Sequence, residues 1–154
     1  DGGTAQNTSS SAQSYYVGMT VATPVTGLRA GASFDYFAID EAGNNDYSFA
    51  GYLSYQATEK LSFHGRLEYF KDKVGNAALG QGALLFPFVP VGEKAEVLAF
   101  TATVQYDLWK NVLSRVELRY DHSLLGNDLF GGSIGGPPTA TGAWLLAANI
   151  IYKF

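Results

Sequence analysis

Apolar and polar residues alternate along most of the chain, in blocks set apart by turn-forming residues. Side chains of a β-strand point to opposite faces at successive positions, so a period of two predicts half-buried strands rather than helices. Seven such blocks fall at 14–24, 28–39, 46–57, 61–72, 96–108, 112–123 and 143–154. The fourth is the most regular, with Leu61, Phe63, Gly65, Leu67 and Tyr69 on one parity and Ser62, His64, Arg66 and Glu68 on the other. The sixth sets Val112, Ser114, Val116, Leu118 and Tyr120 against Arg115, Glu117, Arg119 and Asp121, a face too charged for a packed interior. The second block places Arg29 and Asp35, and the fifth Asp107, on the polar parity. The blocks predict an all-β protein built as an antiparallel meander.

All four arginines of the chain lie on the polar parity of their strands, and both histidines, His64 and His122, are read there too. Lys60, Lys94, Lys110 and Lys153 fall in turns, loops or the chain end. One wet face fits an open sheet and a barrel with a hydrated lumen equally well. The aromatic residues separate the two. On the apolar parity, Tyr15, Tyr36, Tyr47, Tyr69, Tyr120 and Trp144 collect at one end of the strands, and Tyr55, Tyr106, Tyr152 and Phe154 at the other. Small aliphatic residues, Gly and Phe fill the middles. Amphipathic rings prefer the headgroup level of a bilayer, so two belts with an apolar band between them point to a lipid-facing wall. A tilted strand crosses the hydrocarbon in about 9–11 residues, close to the length of these blocks. The expected architecture is therefore an up-and-down transmembrane β-barrel, of which seven strands are present. A soluble two-sheet protein whose tyrosines cap its core is the alternative.

Connections alternate in length, as transmembrane barrels alternate tight periplasmic turns with longer extracellular loops. Val25 to Gly27, Thr58 to Lys60 and Trp109 to Asn111 are short, whereas 73–95 and 124–142 are long. Loop 124–142 contains Gly131-Gly132-Ser133-Ile134-Gly135-Gly136-Pro137-Pro138, a composition suited to an exposed loop or one folded into a lumen. Loop 73–95 contains Leu84, Leu85, Phe86, Pro87 and Phe88, too apolar to stand free in water, and is a candidate constriction loop. Packing on the rim or against a neighbouring subunit would also bury it.

Composition narrows the class. The 154 residues fit one domain, and 22 aromatics (10 Tyr, 10 Phe and 2 Trp) exclude a disordered chain. With no cysteine there is no disulfide scaffold, and a net charge of −4 does not favour a nucleic-acid partner. No apolar stretch approaches the ~20 residues of a membrane helix.

The last block, Trp144 to Phe154, places apolar or aromatic residues at every second position up to the terminal carboxylate. Tyr152 and the terminal Phe154 resemble the C-terminal signal of bacterial outer-membrane proteins, which implies the barrel assembly machinery as a partner. A periplasmic C-terminus makes the first strand begin outside the membrane. Residues 1–13 are accordingly expected to be the tail of an extracellular loop, and 14–154 the C-terminal part of a longer barrel, because single-chain barrels have even strand numbers. A homo-oligomer stays open.

Leu61 to Phe70 and Val104 to Ser123, above all Tyr106-Asp107-Leu108-Trp109-Lys110-Asn111 with the Arg/Glu-alternating strand after it, resemble the last hairpins of the outer-membrane beta-barrel porin-2 family. The resemblance implies an outer-membrane location in a Gram-negative-type bacterium and a passive channel. Outer-membrane lipid and small hydrophilic solutes are then the partners, and no cofactor is implied. The expected pore-lining set is Arg29, Asp35, His64, Arg66, Glu68, Asp107, Arg115, Glu117, Arg119 and Asp121. Their mixed signs predict weak ion selectivity. His64 and His122 stand on strands separated by a third, about 9–10 Å apart, which disfavours a shared metal site. No nucleophile elbow or oxyanion donor accompanies Ser62, His64 and Glu68, so neither catalysis nor a metal is expected.

Overall fold

Tight turns tie the strands together at one end. Pro24 has no N–H to give a ladder, so the first strand stops before it, and the Thr23 hydroxyl accepts the Val25 N–H at 3.2 Å. Thr23 N–H in turn donates to Leu28 O at 3.1 Å, closing the reversal, and Gly27 supplies the positive φ of 80° that it needs. Thr58 Oγ1 does similar work in the next short turn, accepting from Leu61 N at 3.0 Å.

The computed structural model describes residues 12–39, 44–73, 94–133 and 137–154. It contains seven strands: β1 (Ala12–Ala22), β2 (Leu28–Ile39), β3 (Asn44–Gln56), β4 (Leu61–Lys73), β5 (Lys94–Trp109), β6 (Val112–Ser123) and β7 (Gly142–Tyr152). They form one antiparallel sheet in the order β1-β2-β3-β4-β5-β6-β7, an up-and-down meander without crossovers. The sheet is not closed: β1 and β7 are its free edges among the described residues.

The expected blocks match these strands, with shifts at the ends. β1 lies two residues earlier than 14–24 because of the Pro24 turn, and β7 ends at Tyr152 rather than Phe154. β4 and β5 reach to Lys73 and from Lys94, further into the long connection than read from sequence. A register shift between Asp107 and Trp109 marks a bulge where β5 enters its short turn.

Parity holds across the sheet because the register pairs like with like. Tyr15 faces Tyr36, Tyr36 faces Tyr47, and Tyr120 faces Trp144, all on the apolar face. Ring centroids lie 6.2 Å apart for Tyr15–Tyr36, 6.0 Å for Tyr47–Tyr69 and 4.5 Å for Tyr120–Trp144, so the aromatics of the long-loop end form contacts from strand to strand. Little of this face is covered: Val17, Leu53, Leu67 and Ile150 are all more than half exposed. Most of the few buried residues lie on the opposite face, including Ala95, Val97, Ala99, Thr103 and Ser123.

Candidate functional site

The polar face of β4, β5 and β6 carries the densest chemistry. On β4 the polar-face sequence Ser62, His64, Arg66, Glu68, Phe70 and on β6 the sequence Arg115, Glu117, Arg119, Asp121 form two parallel ladders. Between them β5 presents only small or uncharged residues on this parity from Ala95 to Thr103. The result is a trough with β5 as its floor and charged walls on either side. Register sorts the charges into rows: Tyr52, Arg66, Thr101 and Arg119 stand opposite one another in turn, and Ala50, Glu68, Ala99 and Asp121 form the next row. A basic row is thus followed, two residues further along the strands, by an acidic one.

The rows are cross-linked. Arg66 Nη2 meets Glu68 Oε1 at 2.7 Å, and Arg119 Nη2 meets Asp121 Oδ1 at 2.8 Å. Arg119 Nε also donates to both oxygens of Asp121 at 3.0 Å. Both arginine side chains remain over a third exposed, while Arg66 Nε itself is buried without a hydrogen-bond partner. Arg66 also lies 5.6 Å from the Tyr52 ring, and the Tyr52 hydroxyl shares a 2.9 Å hydrogen bond with Ser33. Towards the short turns, Thr103 donates to Glu117 Oε2 at 3.0 Å, Arg115 Nη2 donates to Gln105 Oε1 at 2.8 Å, and Ser62 is 3.1 Å from His64 Nε2. These pairs fix the orientation of the ladder side chains.

Of the ten residues expected on this face, all ten have the expected parity. Arg66, Glu68, Arg115, Glu117, Arg119, Asp121 and His64 are gathered around the trough. Arg29 and Asp35 stand apart on β2, and Asp107 lies at the bulge by the short turn. Tyr52 was not read from the sequence as part of this face, because an aromatic residue carries no polar signal of its own; the parity it shares with Ser48 and Ser54 was the available clue.

His122 corrects the reading of both histidines as polar-face residues. It pairs with Leu98 and Gly142, and its ring stacks on Tyr120 at 6.0 Å with 17° between planes, which puts it in the aromatic belt of the apolar face. Asp121 alone separates Tyr120 from His122, so alternation gives His122 the parity of Tyr120. His64 and His122 are therefore on opposite faces. Among the described residues no group of three His, Cys, Asp or Glu is placed to hold a metal.

The expected constriction residues Leu84, Leu85, Phe86, Pro87 and Phe88 lie outside the described residues, as do residues 1–11. Of the other long connection, described at 124–133 and 137–141, the structure shows its course: it folds over the polar face. Leu124 N–H donates to Glu96 O at 2.8 Å, and Ser123 bonds through its hydroxyl to Asn127. Phe130 and Ala140 then form a bridge, with Phe130 N–H donating to Ala140 O at 3.0 Å and Ala140 N–H to Phe130 O at 2.9 Å. Gly131 and Gly132 turn the chain at φ 72° and 84°, where a side chain on Gly132 would strike the Pro137 carbonyl. The strap so formed packs Leu129 and Phe130 onto Ala95 and Val97, at the long-loop end of the trough. Between Phe130 and the wall remains a cavity of about 340 Å³ over Ala99, bordered by Glu68, Arg119 and Asp121.

No curated protein and no solved structure matches the chain. Its alternating strands, one-sided charges and aromatic belts agree with the family that its sequence matches over residues 2–154, and the chain belongs to that family, Putative beta-barrel porin-2, OmpL-like.

Proposed function

We propose that the chain forms part of the wall of an outer-membrane channel through which small hydrophilic solutes or ions diffuse passively. The observation that carries this reading is the partition of charge between the two faces. Four arginines share one face, Arg66 and Arg119 paired there with Glu68 and Asp121, while the other combines an uncharged mid-strand band with aromatic belts. A lipid-facing outside and a hydrated lumen ask for that partition. The aromatic belts supply the interfacial anchors, and the alternation of short turns with long loops gives the orientation, with the strap on the extracellular side.

In this reading β1 and β7 do not end the wall. A bare strand edge in the hydrocarbon would leave unpaired N–H and C=O groups, each costing several kcal/mol, about what a missing hydrogen bond costs in an apolar medium. Further strands, from a longer chain or a second copy, close the barrel against these edges. Residues 14–154 then form part of its wall and 1–13 belong to an extracellular loop.

Single-channel recording of the native, folded polypeptide in planar bilayers tests the proposal. Discrete conductance steps with weak ion selectivity are expected, since the wall carries both signs. Silent bilayers with folded, inserted protein would sink it. The strap lying over the polar face would then favour the second reading, a plugged structural or adhesive barrel whose extracellular loops bind a partner.

A further inference from the structure

The trough beneath Phe130 combines three features in one place. Arg119 offers a cation on one row; Glu68 and Asp121 offer carboxylates on the next; Phe130, with Val97, supplies an apolar roof and end wall. The floor is Ala99, small enough to leave the space between the ladders empty. We propose that this cavity is a docking subsite for small zwitterions that carry an apolar body, of the α-amino-acid type. The proposal deepens the channel reading by naming a class of solute for the same face.

Charge order and spacing support this choice over a singly charged solute. The basic and acidic rows stand about 7 Å apart along the backbone, but their charged atoms meet, Arg119 Nη2 and Asp121 Oδ1 at 2.8 Å. The ammonium and carboxylate of an α-amino acid are likewise neighbours on one carbon, so they can lie across this pair, the carboxylate towards Arg119 and the ammonium towards Asp121. Nε and Nη2 of Arg119 are engaged by Asp121. A guanidinium has five N–H donors, so it can accept a second carboxylate without releasing the first. An anion alone would compete with Asp121 for Arg119, and a cation alone would compete with Arg119 for Asp121. The solute's apolar body replaces water against Phe130, and a cavity of about 340 Å³ is large enough for a side chain of leucine size.

The strap has a part in this. It covers the trough only at its long-loop end, so a solute entering from that side passes Phe130 first. Held by the Phe130–Ala140 bridge, the strap narrows the path and sets Phe130 beside the charged rows.

Calorimetric titration of the detergent-solubilised native protein with L-leucine, leucinamide and 4-methylpentanoate is the test. The three share an apolar body; leucinamide lacks the carboxylate charge and 4-methylpentanoate the ammonium. Leucine is expected to bind about tenfold more tightly than either singly charged analogue, the difference that one charge-assisted hydrogen bond makes. Phe130→Ala and Glu68→Gln should each weaken leucine binding several-fold. Equal binding of the three ligands, or leucine binding that neither substitution changes, would overturn the subsite. If Phe130→Ala disturbs the strap, the comparison of ligands on the unaltered protein decides alone. Bilayer recordings on the same preparation separate this proposal from the one it rests on. Preferential leucine binding with silent bilayers would retain the subsite and remove the channel, whereas conductance without that preference would remove the subsite only.

Discussion

On the apolar face, the mid-strand positions Leu53, Leu67, Phe100 and Val116 are about half exposed and uncharged. On the polar face of the same strands, Arg66, Glu68, Arg119 and Asp121 sit at neighbouring register positions and pair at 2.7 to 2.8 Å. The ion pair on the apolar face, Lys71–Glu96 at 2.6 Å, lies at the long-loop end, where Lys71 also sits 6.0 Å from the Tyr47 ring. A charge is therefore tolerated on the apolar side at the level of the aromatic belt and excluded from the band between the belts. The difference teaches that depth along the strand, as well as parity, governs where a charge can be placed. Aromatic rings mark the depth at which water begins.

The strongest way to break this contrast is to move a charge into the band. Leu67→Arg should cost about 2–4 kcal/mol of folding stability in a bilayer, read from urea unfolding in lipid vesicles. Ala147→Arg on the polar face, opposite Glu117, should change it by no more than about 0.5 kcal/mol. Equal losses for the two variants would show that the faces are not solvated differently.

The strap sharpens the comparison, because it is the part of the polar face that is roofed with apolar side chains. Leu129→Ala removes a buried side chain and should lower the local opening energy of the strap by about 2 kcal/mol, seen as faster hydrogen exchange at the Phe130 and Ala140 amides. Gly132→Ala should have an effect of about 1–2 kcal/mol on the same amides, since its positive φ disfavours any side chain. Unchanged exchange in both variants would mean that the strap is not held by these contacts.

Only a small effect on stability is expected from Arg119→Ala. Its partner Asp121 is part-exposed and can recover water, so the loss should stay below about 1 kcal/mol. Its effect on permeation should be the clearer one: with the basic row weakened, the reversal potential in a salt gradient should shift towards cation selectivity. An unchanged reversal potential would place Arg119 away from the ion path.

Parity was readable because each block alternates locally, and Arg29, Arg66, Arg115 and Arg119 all keep to one side of it. His122 was misplaced although the same rule covers it, since its polar character suggested the wet face while its position two residues after Tyr120 put it on the other. The trough was not readable. Ala99 and Thr101 look like weak alternation in β5, and their meaning comes from standing between Glu68 and Asp121 and between Arg66 and Arg119. Tyr52 likewise gained its place only when the register put it opposite Arg66.

What the sequence alone determined, then, is a set of seven amphipathic strands, their two faces and the depth at which aromatic rings flank them. These follow from backbone geometry, in which side chains alternate every residue and the period needs no partner strand to be seen. The tertiary structure decided how charges on different strands line up in rows and where loop 124–141 goes. Gly131, Gly132 and Pro137 state that this segment leaves the sheet but not the direction in which it folds. That direction depends on the apolar patch at Ala95 and Val97, contributed by a strand more than thirty residues before Leu129 and Phe130, where only the folded sheet brings the two together.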